Sequence, residues 1–410
     1  LKEITLRAVD KLTGDEVIAP FNVTNNLPGA RSAAACVAET ASRLGYTHVE
    51  IGYEATGMLW IPFHRFLATC QLLEPFHLQL VCFNPKLVAD FKDALVLRGP
   101  KDDERDAFDV AARVQVGHWP DSYVPDDFWQ GLRRLTRYRF RLARNLSQEK
   151  MRFQSYAFLK FSDWKRVKAF SDVFGATSAA LLTEFTTAEL HDMTHDQLAT
   201  LIAHRGRGRF YDPDATARTV QHALRTSYPI DAPMDEMVTA TLATGWEHIR
   251  AIKRLLKRLD QHISRCIEPV PNPLITVKGL GPVITAGLLA EIVDISRFPE
   301  HRHLAQYCGI SWSKRSSGSF VSQNTRMTKV GNPYGRYYFV AGADKLRQFN
   351  LEYKAFYWRK YQEVSKHQHK RALVLTARKL VRLVHALLTK NVPYVRPQMT
   401  VALEEVDLLQ

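Results

Sequence analysis

The sequence predicts an α/β domain followed by a long helical region, and three observations support this fold class. Residues 1–118 alternate strand-like and helix-like segments, which indicates a sheet covered by helices. Apolar residues then recur at spacings of three and four from Val238 to Ile263, as in a coiled-coil seam. The proline-rich segment EPVPNP at 268–273 interrupts the helical pattern and marks a boundary. These boundaries give three predicted domains, 1–120, 121–268 and 269–410.

The elements of the first domain each have a recognisable pattern. EITLRAVD and EVIAPFNVT flank the glycine-containing turn KLTGD, which is typical of an antiparallel hairpin. GARSAAACVAETASRLG predicts a helix that ends at a glycine, and DERDAFDVAARVQVG predicts another helix. HVEIGYE and LQLVCFN predict short apolar strands. This order indicates a mixed sheet.

The middle of the chain reads as helical throughout. TTAELHDMTHDQLATL contains two predicted capping boxes, Thr186 with Glu189 and Thr194 with Gln197. The seam from Val238 to Ile263 either packs within the chain or joins two protomers. We predict a homodimer or homotetramer that assembles through this seam.

Positive charge is concentrated in two parts of the chain. The net charge is +14, and residues 301–400 hold 19 Lys and Arg against three acids, a local charge of +16. The segment RRLTRYRFRLAR places six arginines between Arg133 and Arg144. A solvated basic face would explain one such block, but two blocks favour a polyanionic partner such as nucleic acid. We predict nucleic-acid contacts from Arg133, Arg137 and Arg141.

Composition excludes several other classes of protein. No apolar run reaches the roughly 18 residues that a membrane-spanning helix needs, and no signal peptide is visible. The five cysteines are dispersed, with no pair at zinc-ligand spacing. Dispersed cysteines favour reduced thiols, so we expect a cytoplasmic protein without structural zinc. The predicted nucleic-acid partner would place it at the nucleoid.

Three carboxylates of the first domain are candidate metal ligands. Glu54 ends the strand HVEIGYE, where the chain leaves the sheet. Asp103 and Asp106 lie three apart at the start of a helix, so both side chains lie on one face and can bind one cation or two adjacent cations. Hard oxygen ligands suit Mg²⁺, which assists phosphoryl transfer. The alternative is that these acids only complement the helix dipole.

After the proline-rich boundary, VKGLGPVITAGLLAEI has the form of a helix-hairpin-helix element. In such an element, backbone N–H groups at Gly279 and Gly281, with Lys278 beside them, can contact phosphate. A tight turn between packed helices has the same pattern. The remaining chain is predicted to be helical and basic.

The order of the motifs YEATG, KDDERDA, VKGLGPVITAGLLAEIVDISRF, LAQYCGI, SSG and TKVGNPYGR resembles the DEDD transposases of bacterial insertion sequences. These form the IS-one-ten family of bridge-RNA-guided serine recombinases. The resemblance covers residues 1–120 and 270–345 and implies a RuvC-like, ribonuclease-H-type first domain, a coiled-coil middle and a C-terminal transposase domain. It implies that Glu54, Asp103 and Asp106 hold Mg²⁺. The first aspartate of the motif is expected upstream of Leu1, with Asp10 the only nearby candidate.

The resemblance also implies a nucleophile in the segment RSSGSFVSQNTRMTKVGNPYGR at 315–336. The family's serine falls on Ser317, before Gly318, with Ser316 as the rival position. The basic groups expected to hold the scissile phosphate and the adjoining DNA are Arg315, Arg326, Lys329 and Arg336. The implied partners are element-end and target DNA and a structured non-coding RNA.

The predicted function is therefore a site-specific DNA recombinase that acts through a phosphoserine intermediate. A second interpretation is a metal-dependent junction endonuclease that uses water. A third is a non-catalytic nucleic-acid-binding protein. Glu54→Ala separates the third from the others, and Ser317→Ala separates the first from the second.

Overall fold

A computed structural model describes residues 2–94, 102–117, 123–312, 316–317, 320–321 and 327–395. The chain forms two compact units, Leu1–Pro125 and Asp126–Gln410. The predicted boundary near residue 120 lies close to this division. The second predicted domain boundary, at 268/269, falls inside the second unit and stays a prediction.

The described residues of the first unit form four strands and four helices. In chain order these are β1 (Glu3–Val9), β2 (Glu16–Thr24), α1 (Leu27–Leu44), β3 (His48–Glu54), α2 (Trp60–Ala68), β4 (His77–Phe83), α3 (Pro85–Ala94) and α4 (Asp103–Val116). Helix α1 ends, as predicted, at a glycine, because Gly45 adopts a left-handed conformation with φ of 70°.

The strands form two pairs rather than the one mixed sheet that the sequence predicts. β1 and β2 are antiparallel, from Glu3 opposite Thr24 to Val9 opposite Glu16. β3 and β4 are parallel and in register, from His48 beside His77 to Glu54 beside Phe83. Among the described strands no hydrogen bonds join the two pairs. Helix packing connects them instead, because α4 lies against both β1 and β3.

The second unit is almost entirely helical. Its helices are α5 (Asp127–Lys160), α6 (Trp164–Val167), α7 (Ala176–Thr183), α8 (Thr187–Asp192), α9 (His195–Gly206), α10 (Pro213–Thr226), α11 (Ala232–Ile267), α12 (Pro282–Ile292), α13 (His301–Tyr307), α14 (Pro333–Phe349), α15 (Leu351–Gln362) and α16 (Gln368–Lys390). Two short strands, β5 (Ser316–Ser317) and β6 (Phe320–Val321), lie between α13 and α14. None of the described helices is long and apolar enough to cross a membrane.

Helices α5 and α11 form an antiparallel pair that spans two hydrophobic cores. Leu132, near the start of α5, shares one core with Ile263, near the end of α11. Phe153, near the end of α5, shares the other core with Val238, near the start of α11. The predicted seam therefore packs within the chain, and its buried side chains are not available to join protomers. Dimer or tetramer formation stays a prediction.

The predicted capping boxes are confirmed. Thr186 and Glu189 cap α8 with reciprocal side-chain-to-backbone hydrogen bonds. Thr194 and Gln197 cap α9 in the same way. Each box satisfies backbone N–H groups that have no partner within the helix, so these two starts are fixed by local sequence.

Candidate active site

Glu54 lies at the carboxyl end of β3, half-buried, with its backbone beside Phe83 of β4. Gly52, on the same face of the strand, lies against α4, and a Cβ there would be 2.4 Å from Cγ2 of Val114. The glycine therefore permits close packing of strand and helix.

The direction of α4 brings its first turn to the Glu54 end of β3. Glu50, earlier in β3, forms an ion pair with Lys11 at 2.5 Å, and the Lys11 carbonyl accepts a hydrogen bond from Gln115 at the end of α4. Strand and helix are thus antiparallel. Glu54 and the first turn of α4 lie at one edge of the unit.

The acids of that first turn have distinct roles. Asp102 is the N-cap of α4 and accepts a hydrogen bond from the backbone N–H of Glu104. Capping separates it from the predicted pair, Asp103 and Asp106, of which Asp103 is exposed and Asp106 is partly buried. The assignment of Asp103, rather than Asp102, to the D-x-x-D pair stays a prediction.

Lys92 on α3 forms ion pairs with acids of α4. Its Nζ lies 2.5 Å from Oδ1 of Asp106 and 3.3 Å from Oδ2 of the buried Asp109. Although burial lowers the pKa of Lys92, the two aspartates raise it more, so the lysine remains charged. The lysine balances the charge of Asp106, and a metal ion at this carboxylate must compete with it.

Asp10 does not join these acids. One carboxylate oxygen accepts hydrogen bonds from the backbone N–H groups of Leu12 and Thr13, and the other accepts the Tyr46 hydroxyl at 2.5 Å. The Tyr46 hydrogen bond is the main reason that the pKa of Asp10 is lowered. As expected from its place in the turn, Asp10 fixes the hairpin between β1 and β2.

Among the described residues, no group of three or more His, Cys, Asp and Glu side chains has metal-binding geometry. Glu54, Asp103 and Asp106 share one edge of the first unit without forming such a cluster. All three offer carboxylate oxygens, which are the donors that Mg²⁺ prefers.

In the second unit, the predicted nucleophile lies in a small hairpin. Ser316 is opposite Val321, and Ser317 is opposite Phe320. A bridge between Trp312 and Met327 and a hydrogen bond from the Thr328 N–H to the Ser311 carbonyl pair the two chain segments further down. The predicted phosphate-binding residues Arg315 and Arg326 lie outside the described residues.

Two glycines shape the base of this hairpin. Gly309 and Gly331 have φ of 64° and 127°, which favour glycine. A Cβ on Gly331 would lie 2.4 Å from the Tyr307 carbonyl oxygen. Arg336 donates from Nη1 to the carbonyls of Cys308 and Lys329, at 3.2 and 3.0 Å. Arg336, predicted to contact DNA, thus holds the base of the hairpin, while Lys329 is exposed.

Asn332 connects this base to a buried acid. Its Oδ1 accepts from the Tyr334 and Gly335 N–H groups, which caps α14. Its Nδ2 donates to Glu291 at 2.7 Å and to the Tyr307 hydroxyl at 3.1 Å. The side chain of Glu291 is only 1% exposed. Asn332 therefore links the start of α14 to the end of α12, where Glu291 lies, and to the end of α13, where Tyr307 lies.

The arginine-rich segment of α5 completes this network. Arg137 forms two hydrogen bonds with Glu291, at 2.7 and 2.8 Å, and Arg133 donates to the carbonyl of Ala290 at 2.8 Å. This geometry gives Arg133 and Arg137 a structural role inside the unit, and their predicted contacts with nucleic acid stay predictions. Arg141 is exposed, and its contact with nucleic acid stays a prediction.

The G-L-G turn lies at the start of α12. Gly279 has φ of 109° and packs against Leu346, while Gly281 is the exposed N-cap of the helix and Lys278 is exposed beside them. A single 3-10 turn, Pro273–Thr276, precedes the G-L-G turn in place of a full helix. The exposed N-terminus of α12 is compatible with the predicted phosphate contact.

Comparison with known proteins identifies the same two regions. Residues 5–160 match the IS110 model of DEDD transposases, and residues 272–358 match the model described as the transposase IS116/IS110/IS902 family. The chain belongs to the IS110 family of transposases. A similar protein is "Putative transposase y4rJ" of Sinorhizobium fredii, 36% identical over 83 residues. That match covers 20% of this chain, and the chain spans a fifth, 20%, of the relative's length.

Sequence reasoning missed three residues of this IS110-family chain: Glu291, Tyr307 and Asn332. A signal was present for two of them. Glu291 is an acid in the apolar helix GPVITAGLLAEI, and such an acid is rarely buried without a partner. Asn332 precedes Pro333, as a cap precedes the first residue of a helix.

Replacing Gly331 tests whether the base of the hairpin depends on backbone shape. Gly331→Ala should lower the free energy of unfolding by about 2 kcal/mol or more, since Cβ is both strained and blocked by Tyr307. Gly131→Ala is the control, because Gly131 lies inside α5 with open space around it. That variant should gain about 0.5–1 kcal/mol. If urea denaturation gave the same change in the free energy of unfolding for both variants, the hairpin base would not depend on backbone shape at Gly331.

Proposed function

We propose that the protein is a site-specific DNA recombinase of an insertion sequence, which cuts and rejoins DNA through a phosphoserine intermediate at Ser317. The observation that carries the proposal is the hairpin that contains Ser317 and is held at its base by Arg336 and the Glu291–Asn332 network. Membership of the IS110 transposase family and the basic composition of residues 301–400 support a DNA substrate.

The proposed reaction exchanges one phosphodiester for another. The Ser317 Oγ attacks the scissile phosphorus, its proton passes to solvent water, and the P–O bond to the displaced sugar breaks. The released sugar oxygen takes a proton and becomes a hydroxyl. Arg315, Arg326 and Lys329 neutralise the charge that develops on the phosphoryl oxygens. Attack by a sugar hydroxyl on the phosphoserine reverses these steps, so the DNA is resealed without an external energy source.

Glu54, Asp103 and Asp106 are the residues that would hold Mg²⁺. When bound, the ion would lower the pKa of a coordinated hydroxyl and offset phosphoryl charge. If Asp106 held the ion, Lys92 would still have Asp109 as a partner at 3.3 Å and would offset negative charge beside the site.

We also propose a structured RNA partner that selects the target by base pairing. In that arrangement base pairing reads the sequence, while the protein holds the backbone through cations such as Arg141 and Lys329. The support is the family resemblance together with the excess of exposed cations in the second unit. A homodimer or homotetramer would bring two strand-cutting serines together on paired DNA sites.

A covalent trap tests the proposal. Full-length protein with its co-purified RNA is mixed with element-end DNA and Mg²⁺, then denatured, separated on a gel and digested for mass spectrometry. A protein–DNA adduct on Ser317 is the expected result. Cleaved DNA without an adduct would instead establish hydrolysis by water at the acidic site. Binding without cleavage would identify a non-catalytic nucleic-acid-binding protein.

The acidic site makes a separate prediction. Glu54→Gln and Asp106→Asn should each weaken Mn²⁺ binding about tenfold or more, measured by electron paramagnetic resonance, because each removes a charged oxygen donor. DNA cleavage should fall in parallel. Glu104→Gln is the control, since Glu104 lies in the same helical turn outside the motif. Equal Mn²⁺ affinity in all three variants would exclude this metal site.

A further inference from the structure

Helix α11 carries a row of cations that the sequence motifs do not explain. Six basic side chains lie between residues 250 and 265, and all six are exposed. They are Arg250, Lys253, Arg254, Lys257, Arg258 and Arg265. Asp260 is the acid of this stretch, and Arg139 of α5 pairs with it at 2.8 Å. Within the described part of the chain, none of the six forms an ion pair.

The helical period places these cations on one face. Successive residues turn by about 100°, so the six side chains fall within an arc of about 140°. The buried residues Ile249, Ile252 and Ile263 lie on the opposite side, toward α5. The row is about 22 Å long, because each residue adds about 1.5 Å to the helix. We call this face the α11 ridge.

A groove of about 660 Å³ adjoins the ridge, between α11 and α5. Lys253, Lys257, Gln261 and Arg265 line it from α11, and Arg139 lines it from α5. The length of the ridge corresponds to about six base pairs of B-form DNA at 3.4 Å per pair. No Phe, Tyr or Trp lies between residues 250 and 265. Single strands bind through stacking on aromatic rings, so the composition of the ridge favours a duplex.

We propose that the α11 ridge binds the phosphate backbone of duplex DNA without reading its sequence. This inference rests on the proposed DNA recombinase function and adds a second DNA contact, remote in sequence from the Ser317 hairpin. Its guanidinium and ammonium groups replace counterions along the duplex, so binding at the ridge weakens as the salt concentration rises. The rigid α5–α11 pair holds the cations in register with the backbone.

The test compares two triple variants of the full-length protein that lose the same charge. The ridge variant carries Arg254→Gln, Lys257→Gln and Arg258→Gln. The control carries Lys165→Gln, Arg218→Gln and Arg225→Gln, which are exposed positions on α6 and α10. Fluorescence anisotropy measures affinity for a mixed-sequence DNA duplex and for an RNA duplex at several salt concentrations. Circular dichroism checks that both variants fold.

The ridge variant should lose about tenfold or more in DNA affinity, and its salt slope should fall by about 2 to 3, because each phosphate contact contributes about 0.9. The control should retain the wild-type slope. Equal slopes in both variants would overturn the proposal, as would a loss confined to the RNA duplex. Cleavage by wild-type protein is assayed alongside. If wild-type protein cleaves DNA and the ridge variant keeps wild-type affinity, only the ridge proposal is wrong. If the ridge variant loses affinity but wild-type protein does not cleave DNA, the recombinase proposal is wrong.

Discussion

Ser317→Ala should abolish the protein–DNA adduct and reduce strand cleavage about 10³-fold or more, while DNA affinity stays unchanged. Removal of a covalent nucleophile eliminates the reaction path rather than weakening one contact, so the loss is large. The measurement is single-turnover cleavage of labelled element-end DNA, with affinity measured on the same duplex. Because alanine retains the backbone of β5, the pairing of Ser317 with Phe320 should persist.

Ser316→Ala is the matched control for this variant, since Ser316 is the adjacent serine of the same strand. It should retain both adduct and cleavage. If Ser316→Ala is inactive and Ser317→Ala is active, the nucleophile is Ser316. If both variants cleave DNA at the wild-type rate, the phosphoserine mechanism is wrong and water becomes the attacking group.

Glu291→Ala should have the largest effect on stability, lowering the free energy of unfolding of the second unit by about 3–5 kcal/mol. The change leaves the partly buried Arg137 guanidinium without its carboxylate and deprives Asn332 of an acceptor. Breaking one side of a buried ion pair has this effect because the remaining charge stays desolvated. Chemical denaturation followed by circular dichroism measures it.

The control for Glu291 is an exposed pair. Glu300→Ala removes the partner of Arg302, whose side chain is 66% exposed, and should change stability by about 0–1 kcal/mol. Glu291→Gln, which keeps the size and an acceptor oxygen, should recover part of the loss and permit a cleavage assay. A Glu291→Ala protein as stable as the control would show that the network is not structural.

Local patterns predicted the elements that local chemistry fixes. The capping boxes at Thr186 and Thr194 depend on residues three positions apart, and Gly45 ends α1 through its own backbone freedom. The strand HVEIGYE was likewise predicted with the bounds it has, from His48 to Glu54. The pairing of strands depends on distant residues, and there the prediction of one mixed sheet was wrong.

In the candidate site, too, features set by neighbouring residues were predicted, and contacts between residues distant in sequence were not. The sequence predicted the start of α4, with Asp103 and Asp106 in its first turn. It gave no reason to expect Arg137 to face inward, because its partner Glu291 lies 154 residues away along the chain. An arginine-rich helix has the same composition whether it contacts phosphate or a buried acid. Only tertiary contacts distinguish the two.

The antiparallel pairing of α5 with α11 has a consequence for synthesis of the chain. Residues 161–231 separate the two helices, and each contributes to both cores of the second unit. As the polypeptide leaves the ribosome, the apolar side of α5 stays uncovered until residues 238–263 have been synthesised. During that interval it is exposed to chaperones and to other nascent chains. Production of this protein should therefore respond strongly to translation speed and chaperone supply.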